Sequence, residues 1–418
     1  MPQREQRPLT ALKTIRYEEF FQFFRGGREP VTSKRVTEVR GSATLTTIDA
    51  VSALRRRGVD VFGFSVRPEP LSAAVAAAQD ALSEPWAAFY TDSAGMPELR
   101  AVLADRASAN LLRPIDSERE VLVSVGAKAA IFCCLLATID PGDDVVILDP
   151  AWVSYEPCVR LAGGHAIRVP LEYGEAGFRL RVDDIASHLT RRTRLIILNS
   201  PHNPTGIVLD RTSLEEFAAL ATAEDLTILS DECYEAFVFD PNEHISIAGL
   251  PDMFERTVTV STSSKLFNTF GWRVGWAVGP RDLIEPMLQT HQNIVGCAPS
   301  HSQAGVTAAI RAEQTVVEEL LPMFESSRDI LLKYLNDTPS VSCHKPQGAY
   351  FLFPNITEIG VDDCHVASML LEEFGIHVNG GSDFGKGGAG FLRLTFACTP
   401  EHAHAGGAKL QQALSRVA

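Results

Sequence analysis

Between positions 121 and 278, short runs of apolar, mostly β-branched residues alternate with longer stretches of helical pattern, and this alternation limits what the chain can fold into. Candidate strands are 121–125, 145–148, 195–198, 226–229, 258–260 and 274–278, while 127–138 and 153–161 read as helices. A run such as Val145-Val146-Ile147-Leu148 has no polar residue at alternate positions, so both faces of such a strand must be covered. Strands of this kind separated by helices predict an α/β fold, with a mostly parallel central sheet and helices on both faces. Ligands of such sheets gather beyond the carboxyl ends of the strands, so chemistry is to be sought there.

The flanks differ from this middle. Residues 1–40 read as an N-terminal extension holding Tyr17-Glu18-Glu19-Phe20-Phe21-Gln22-Phe23-Phe24, an aromatic cluster expected to pack on the body or on a second subunit. From about 310 a long helical pattern, the strand-like Ala349-Tyr350-Phe351-Leu352-Phe353 and a glycine-rich loop precede Phe391-Leu392-Arg393-Leu394-Thr395-Phe396. With residues 41–75, the segment 310–418 is expected to form a smaller α+β domain, leaving 76–309 as the large domain.

Charge and cysteine usage narrow the function classes. The 418 residues carry 38 Lys and Arg against 52 Asp and Glu, a net −14, which makes a poor nucleic-acid binder. No apolar run is long enough to span a bilayer, and the first eight residues have no signal-peptide core, so no membrane partner is expected. The eight cysteines include no C-x-x-C pair and read as reduced thiols of a cytoplasmic protein; no His, Cys and acid spacing supports a metal site.

Three strand ends carry polar groups. Leu198-Asn199-Ser200-Pro201-His202-Asn203-Pro204-Thr205-Gly206 fixes its backbone with two prolines and a glycine, leaving the Asn203 amide on a rigid turn. Leu229-Ser230-Asp231-Glu232-Cys233-Tyr234 sets a carboxylate and a phenol three residues apart. Thr262-Ser263-Ser264-Lys265, followed by Gly271-Trp272-Arg273, is a hydroxyl-rich turn with two cations eight residues apart. Singly, each is an ordinary turn, cap or loop; three in succession on one sheet are not ordinary.

Together these motifs resemble the class I/II aminotransferases, pyridoxal-phosphate enzymes of fold type I, from about Ser42 to the end. Tyr90-Thr91-Asp92-Ser93-Ala94-Gly95, Val125-Gly126-Ala127-Lys128, Pro150-Ala151-Trp152-Val153-Ser154-Tyr155 and Arg393-Leu394-Thr395-Phe396-Ala397 extend the likeness. The resemblance implies a homodimer with shared active sites that moves an amino group from an L-amino acid to a 2-oxo acid. Pyridoxal 5'-phosphate needs an amine to hold its aldehyde as a Schiff base, by resemblance Lys265, whose freed amine then moves the proton at the substrate's Cα. Asp231 would face the ring nitrogen and favour its protonated form. Asn203 and Tyr234 would bond the ring's phenolic oxygen, and Trp152 would stack on the ring face. The amides of Gly126 and Ala127 at a helix start, with Lys128, Thr262, Ser264 and Arg273, would cradle the phosphate, and Tyr90 would reach the phosphate of the neighbouring subunit. Arg393 would grip the α-carboxylate with two parallel hydrogen bonds, Asn203 beside it. The large domain, 76–309, would bind the cofactor.

The chain departs from the family's pattern at several points. Thr262 replaces a serine or glycine, and Ser263 follows where an apolar residue is usual. Val66-Arg67-Pro68-Glu69-Pro70 replaces a stretch that lines the substrate pocket; Val66 narrows the backbone approach, and Arg67 is either a solvated charge or a cation for an acidic side chain. These departures keep open a second outcome on the same cofactor, carbon–sulfur lysis or another β/γ-elimination or condensation. A regulator built on the same body would need a longer basic N-terminal module than the 40 residues here. Gly380-Gly381-Ser382-Asp383-Phe384-Gly385-Lys386-Gly387 nearly spells a phosphate-binding loop, yet Gly387 stands where Ser or Thr would hold magnesium; it reads as a turn delivering Arg393. His202 reads as a structural neighbour of Asn203.

Overall fold

A computed structural model describes residues 32–39, 41–65 and 69–417. Seven strands form its central sheet: β1 (Val121–Ser124), β2 (Asp144–Asp149), β3 (His165–Pro170), β4 (Thr193–Asn199), β5 (Thr227–Asp231), β6 (Thr257–Thr262) and β7 (Gly275–Val278). They lie in the order β1-β7-β6-β5-β4-β2-β3. All neighbours are parallel except β7, which runs antiparallel to both β1 and β6. The edge strand β3 was not among those expected, because His165 and Arg168 interrupt its apolar pattern.

The unbroken apolar runs follow from the two-sided cover. Val145 and Ile147, with Leu195 and Ile197, face one core; Val146 and Leu148, with Ile196 and Leu198, face the other. The first core is closed by α1 (Ala127–Thr138), through Ile131 and Leu135, and by α2 (Arg281–Ile294), through Ile284 and Met287. The second is closed by the helix Arg211–Ala223, whose Leu214, Phe217 and Ala221 are buried and whose start is capped by Asp210 accepting from the Ser213 amide at 2.7 Å.

The N- and C-terminal segments join in smaller sheets. Phe62–Gly63 pairs in parallel with Ile376–His377. A three-stranded antiparallel sheet, β8 (Phe351–Leu352), β9 (Asn379–Gly380) and β10 (Leu392–Thr395), has β10 at its centre. Only two residues of the expected strand 349–353 pair, since Ala349 takes a left-handed φ of 56°. The helices α3 (Glu313–Asn336) and α4 (Pro400–Val417) pack on one another beside this sheet. Among the described residues, no helix is long and apolar enough to cross a membrane.

Candidate active site

The carboxyl ends of β1, β4, β5 and β6 open on one edge of the sheet, and the reversal of β7 brings its amino end to the same edge. Register fixes the neighbours: Asn199 stands opposite Asp231, and Gly275 lies between Ser124 and Thr262. The three polar strand ends therefore do converge.

Asp231 ends β5 and is buried. Its Oδ2 accepts from the Tyr155 hydroxyl at 2.6 Å and its Oδ1 from the Cys233 amide at 3.1 Å. Burial pushes its carboxyl above the usual range, against these hydrogen bonds and the Lys265 charge that pull it down. Among the described residues it has no ion-pair partner, so a cationic N–H brought to it would be strongly favoured. Asn199, the last residue of β4, donates to the Asp231 carbonyl at 2.8 Å and accepts the Asn203 amide at 2.8 Å, tying the two turns together.

Lys265 lies in the single-turn helix Ser263–Leu266 after β6. Its Nζ is 5.7 Å from the Tyr234 ring centre and 4.8 Å from that of Phe270. The Thr262 hydroxyl caps this turn, accepting the Ser264 amide at 3.2 Å and lying 2.9 Å from the Val274 carbonyl and 3.0 Å from the Ser264 hydroxyl. Ser263, the departure from an apolar residue, is wholly buried. It bonds Val274 O at 3.1 Å and accepts from Thr269 at 2.9 Å, so its polarity is met internally.

One end of the site is cationic. Gly126 precedes α1 with φ +73°, and a Cβ there would run into the Arg273 guanidinium. Arg273 bonds the carbonyls of Phe270 at 2.9 Å and Val125 at 3.5 Å. Lys128 Nζ sits 5.1 Å from the Trp152 ring centre. Burial lowers its pKa, and the Arg273 and Lys265 charges add to that. Three cations that repel one another beside the open amides of a helix start form a receptor for a multiply charged anion. Trp152 meets Tyr155 edge-on at 5.3 Å.

The opposite wall comes from β10. Arg393 donates to Asn203 Oδ1 at 3.1 Å and to Asn379 Oδ1 at 2.9 Å, and its guanidinium lies 4.6 Å from the ring centres of both Phe351 and Phe384. Burial lowers it to about 10, although the neighbouring Tyr234, Tyr350 and Asp383 pull the other way. Among the described residues no carboxylate pairs with it. A half-buried guanidinium fork held by neutral amides and walled by two rings is built for an incoming carboxylate. Tyr234 is buried 5.1 Å from Tyr350, ring to ring, and burial, with Tyr350 adding to it, raises its hydroxyl well above the usual range.

Other expectations fall differently. Tyr90 is 93% exposed, outside this buried cluster, next to Phe89 at 73%. Val66, Arg67 and the aromatic segment 17–24 lie outside the described residues. His202 is buried, bonds Thr205 Oγ1 at 2.8 Å and is pushed down to about 3, so it is a neutral structural group. Glu232, Glu235 and His244 converge although their spacing suggested no such group. Ser230, Ser246 and His244 bond the Glu232 carboxylate, and Ser261 and Arg106 bond Glu235 Oε1. Asn199, Asn379, Phe384 and the hydroxyl of Tyr155 were not singled out from sequence. Asn199 alone had a signal there, as an amide ending an apolar strand; the others act across the fold.

Residues 62–406 match the sequence profile of the family described as aminotransferase class I and II. An aspartate aminotransferase of Pyrococcus abyssi is 38% identical over 332 residues, 78% of this chain and 82% of that protein. An aromatic-amino-acid aminotransferase of Thermococcus litoralis is 36% identical over the same shares. The solved structure of the N-succinyldiaminopimelate aminotransferase of Mycobacterium tuberculosis superposes with a TM-score of 0.85 at 31% identity, covering 91% of this chain and all of that one.

Proposed function

The chain belongs to the class I and II aminotransferases, and from that premise we propose how its own residues divide the work of amino transfer between an L-amino acid and a 2-oxo acid. The family's members depend on pyridoxal 5'-phosphate, which when bound supplies the electron sink for the carbanion at the substrate's Cα. The residues here fit that group. The cationic end at Gly126, Ala127, Lys128, Ser264 and Arg273 suits its phosphate. The buried Asp231, raised by burial and in no salt bridge among the described residues, suits its ring nitrogen. Trp152 offers a face for the ring, and Asn203 and Tyr234 offer amide and hydroxyl hydrogens to its phenolic oxygen.

Lys265 Nζ would hold the cofactor by its aldehyde, and its amine would carry the proton at the substrate's Cα. Asp231 would hold the ring nitrogen in its protonated form, and Tyr155 and the Cys233 amide hold the Asp231 carboxylate in place. Arg393 binds and orients the α-carboxylate, with Asn203 and Asn379 fixing its fork. The observation that carries this reading is the convergence, at one sheet edge, of an amine, a buried carboxylate and a cationic anion receptor, facing a separate, half-buried guanidinium. The relatives' names all state aminotransferase, so elimination is not favoured; they differ in substrate, so the donor stays a matter for experiment. The expected part of Val66 and Arg67 at the substrate pocket falls outside the described residues.

We further propose a homodimer. The adjoining Phe89 and Tyr90 are among the most exposed large hydrophobics, and a solvent-facing Tyr90 suits a partner's phosphate site better than its own. The small domain of 41–75 and 310–418 is supported by the ladder joining Phe62–Gly63 to Ile376–His377. A cytoplasmic setting is supported by eight free cysteines, Cys134 and Cys343 among them buried and pushed up to about 12.

The test is spectral. Protein loaded with the cofactor is expected to absorb in the visible and to shift to the pyridoxamine form with its true donors from a panel of amino acids. Lys265→Ala should cut turnover by at least about a thousandfold. Unchanged visible absorbance and turnover in that variant would overturn the assignment.

A further inference from the structure

The glycine-rich loop of residues 380–390 is no phosphate binder, yet its composition has a structural cause that reaches the active site. The inner side of the loop is pinned by Asp363, buried, whose carboxylate accepts from the Ser382 amide and hydroxyl at 2.8 and 2.7 Å and from the Gly390 amide at 3.0 Å. The outer side is pinned by the central sheet. Asp149, the last residue of β2, accepts the Gly387 amide at 3.2 Å and Arg168 Nη1 at 3.0 Å. Arg168, on the edge strand β3, donates from the same Nη1 to the Phe384 carbonyl at 3.1 Å, and the Ala151 amide donates to that carbonyl at 2.8 Å. Glu156 holds the rear of the guanidinium at 2.7 Å. Gly385 has φ +125°, and a Cβ there would land on the Asp149 carboxylate and Arg168; one on Gly387 would come within 2.7 Å of the Asp149 carbonyl. The loop is therefore glycine-rich where an ion pair of the large sheet presses against its backbone.

The side chain of the residue so gripped is buried, and its ring lies 4.6 Å from the Arg393 guanidinium. We propose that Arg168 and Asp149 are positioning residues for the substrate carboxylate: they fix the Phe384 backbone, and through its ring they hold Arg393 at the angle that presents its fork. The linkage joins the edge of the central sheet to the β8-β10-β9 sheet, so it also sets how those two parts meet around a substrate. This rests on Arg393 being the carboxylate receptor. It adds that the affinity of that receptor is governed by an ion pair whose contacts are with Glu156 and the loop backbone.

The experiment uses the cofactor-loaded enzyme and two readouts, steady-state KM and kcat with an amino-acid donor, and calorimetric titration with succinate as an unreactive dicarboxylate. Arg168→Gln should raise both KM and the succinate Kd about tenfold, the scale of one charge-assisted hydrogen bond, with kcat changed less than about twofold and the cofactor spectrum unaltered. Arg168→Lys, which keeps the charge but not the fork, should fall between. Gly385→Ala, which forces the pair apart from the other side, should reproduce the Gln variant. Arg393→Lys is the control. If it leaves KM and Kd unchanged, the reading of Arg393 fails and takes this inference with it. If Arg393→Lys weakens binding while the Arg168 and Gly385 variants keep wild-type KM and Kd, or lower only the melting temperature, the positioning role is overturned. Should Arg168→Gln not fold, Arg168→Lys and Gly385→Ala decide by the same criterion.

Discussion

Acidification should strain the turn that carries Asn203, and the size of the effect follows from His202. Its ring is buried, bonds the Thr205 hydroxyl, and is pushed by burial from an ordinary 6.5 down to about 3. The folded state thus refuses a proton that the unfolded chain takes up below 6.5. The sign follows directly: stability is fully present above pH 6.5 and is lost as pH falls towards 3. At 1.36 kcal/mol per unit, a gap of about 3.5 units corresponds to an upper limit of about 5 kcal/mol, and at pH 5 to about 2 kcal/mol. His202→Asn keeps a polar atom near Thr205 but does not titrate in this range. Urea unfolding of both proteins between pH 7 and 4.5 isolates the term, because the carboxylate contributions common to both cancel in the difference. Wild type should lose stability relative to the variant by about 1.4 kcal/mol per pH unit below 6. A difference that stays flat with pH would show that His202 is protonated without penalty, and the account of this turn as held by a neutral imidazole would be wrong.

Two further outcomes test the site. Asp231→Asn leaves the buried geometry nearly unchanged but removes the negative charge proposed to face the ring nitrogen, so kcat should fall by roughly a hundredfold while the cofactor remains bound, a split read from turnover and absorbance together. Tyr90→Phe should weaken cofactor retention about tenfold, as measured by dialysis, with the dimer intact by sedimentation; Phe89→Asp should instead dissociate it. A monomeric wild-type protein with full activity would refute the shared-site proposal.

The sheet was legible because both of its faces are covered. A strand buried on both sides must be apolar throughout, and each such run ended abruptly in polar residues that had no packing purpose. Lys265, Asp231, Asn203 and Arg273 were visible for that reason. β3 was not, because an edge strand can carry Arg168 and His165 without burying them. Nor does a run of apolar letters tell direction, and the reversal of β7, which brings Arg273 to the shared edge, emerges only from the pairing. Tyr155, Asn379 and Phe384 act across long sequence separations; Tyr155 bonds a carboxylate 76 residues away, and no local pattern encodes such a contact. The glycines of the 380–390 loop were noticed, but what Gly385 and Gly387 answer to is an ion pair far earlier in the chain, Asp149 with Arg168.

Arg393 donates to the Asn203 side chain that is proposed to serve the ring oxygen, so one amide would answer to both cofactor and substrate. A change there made to suit a new donor would disturb the coenzyme as well, and the reverse is equally true. Preference among amino acids must therefore be rewritten at positions contacting neither group, leaving a fixed chemical centre surrounded by an adaptable periphery.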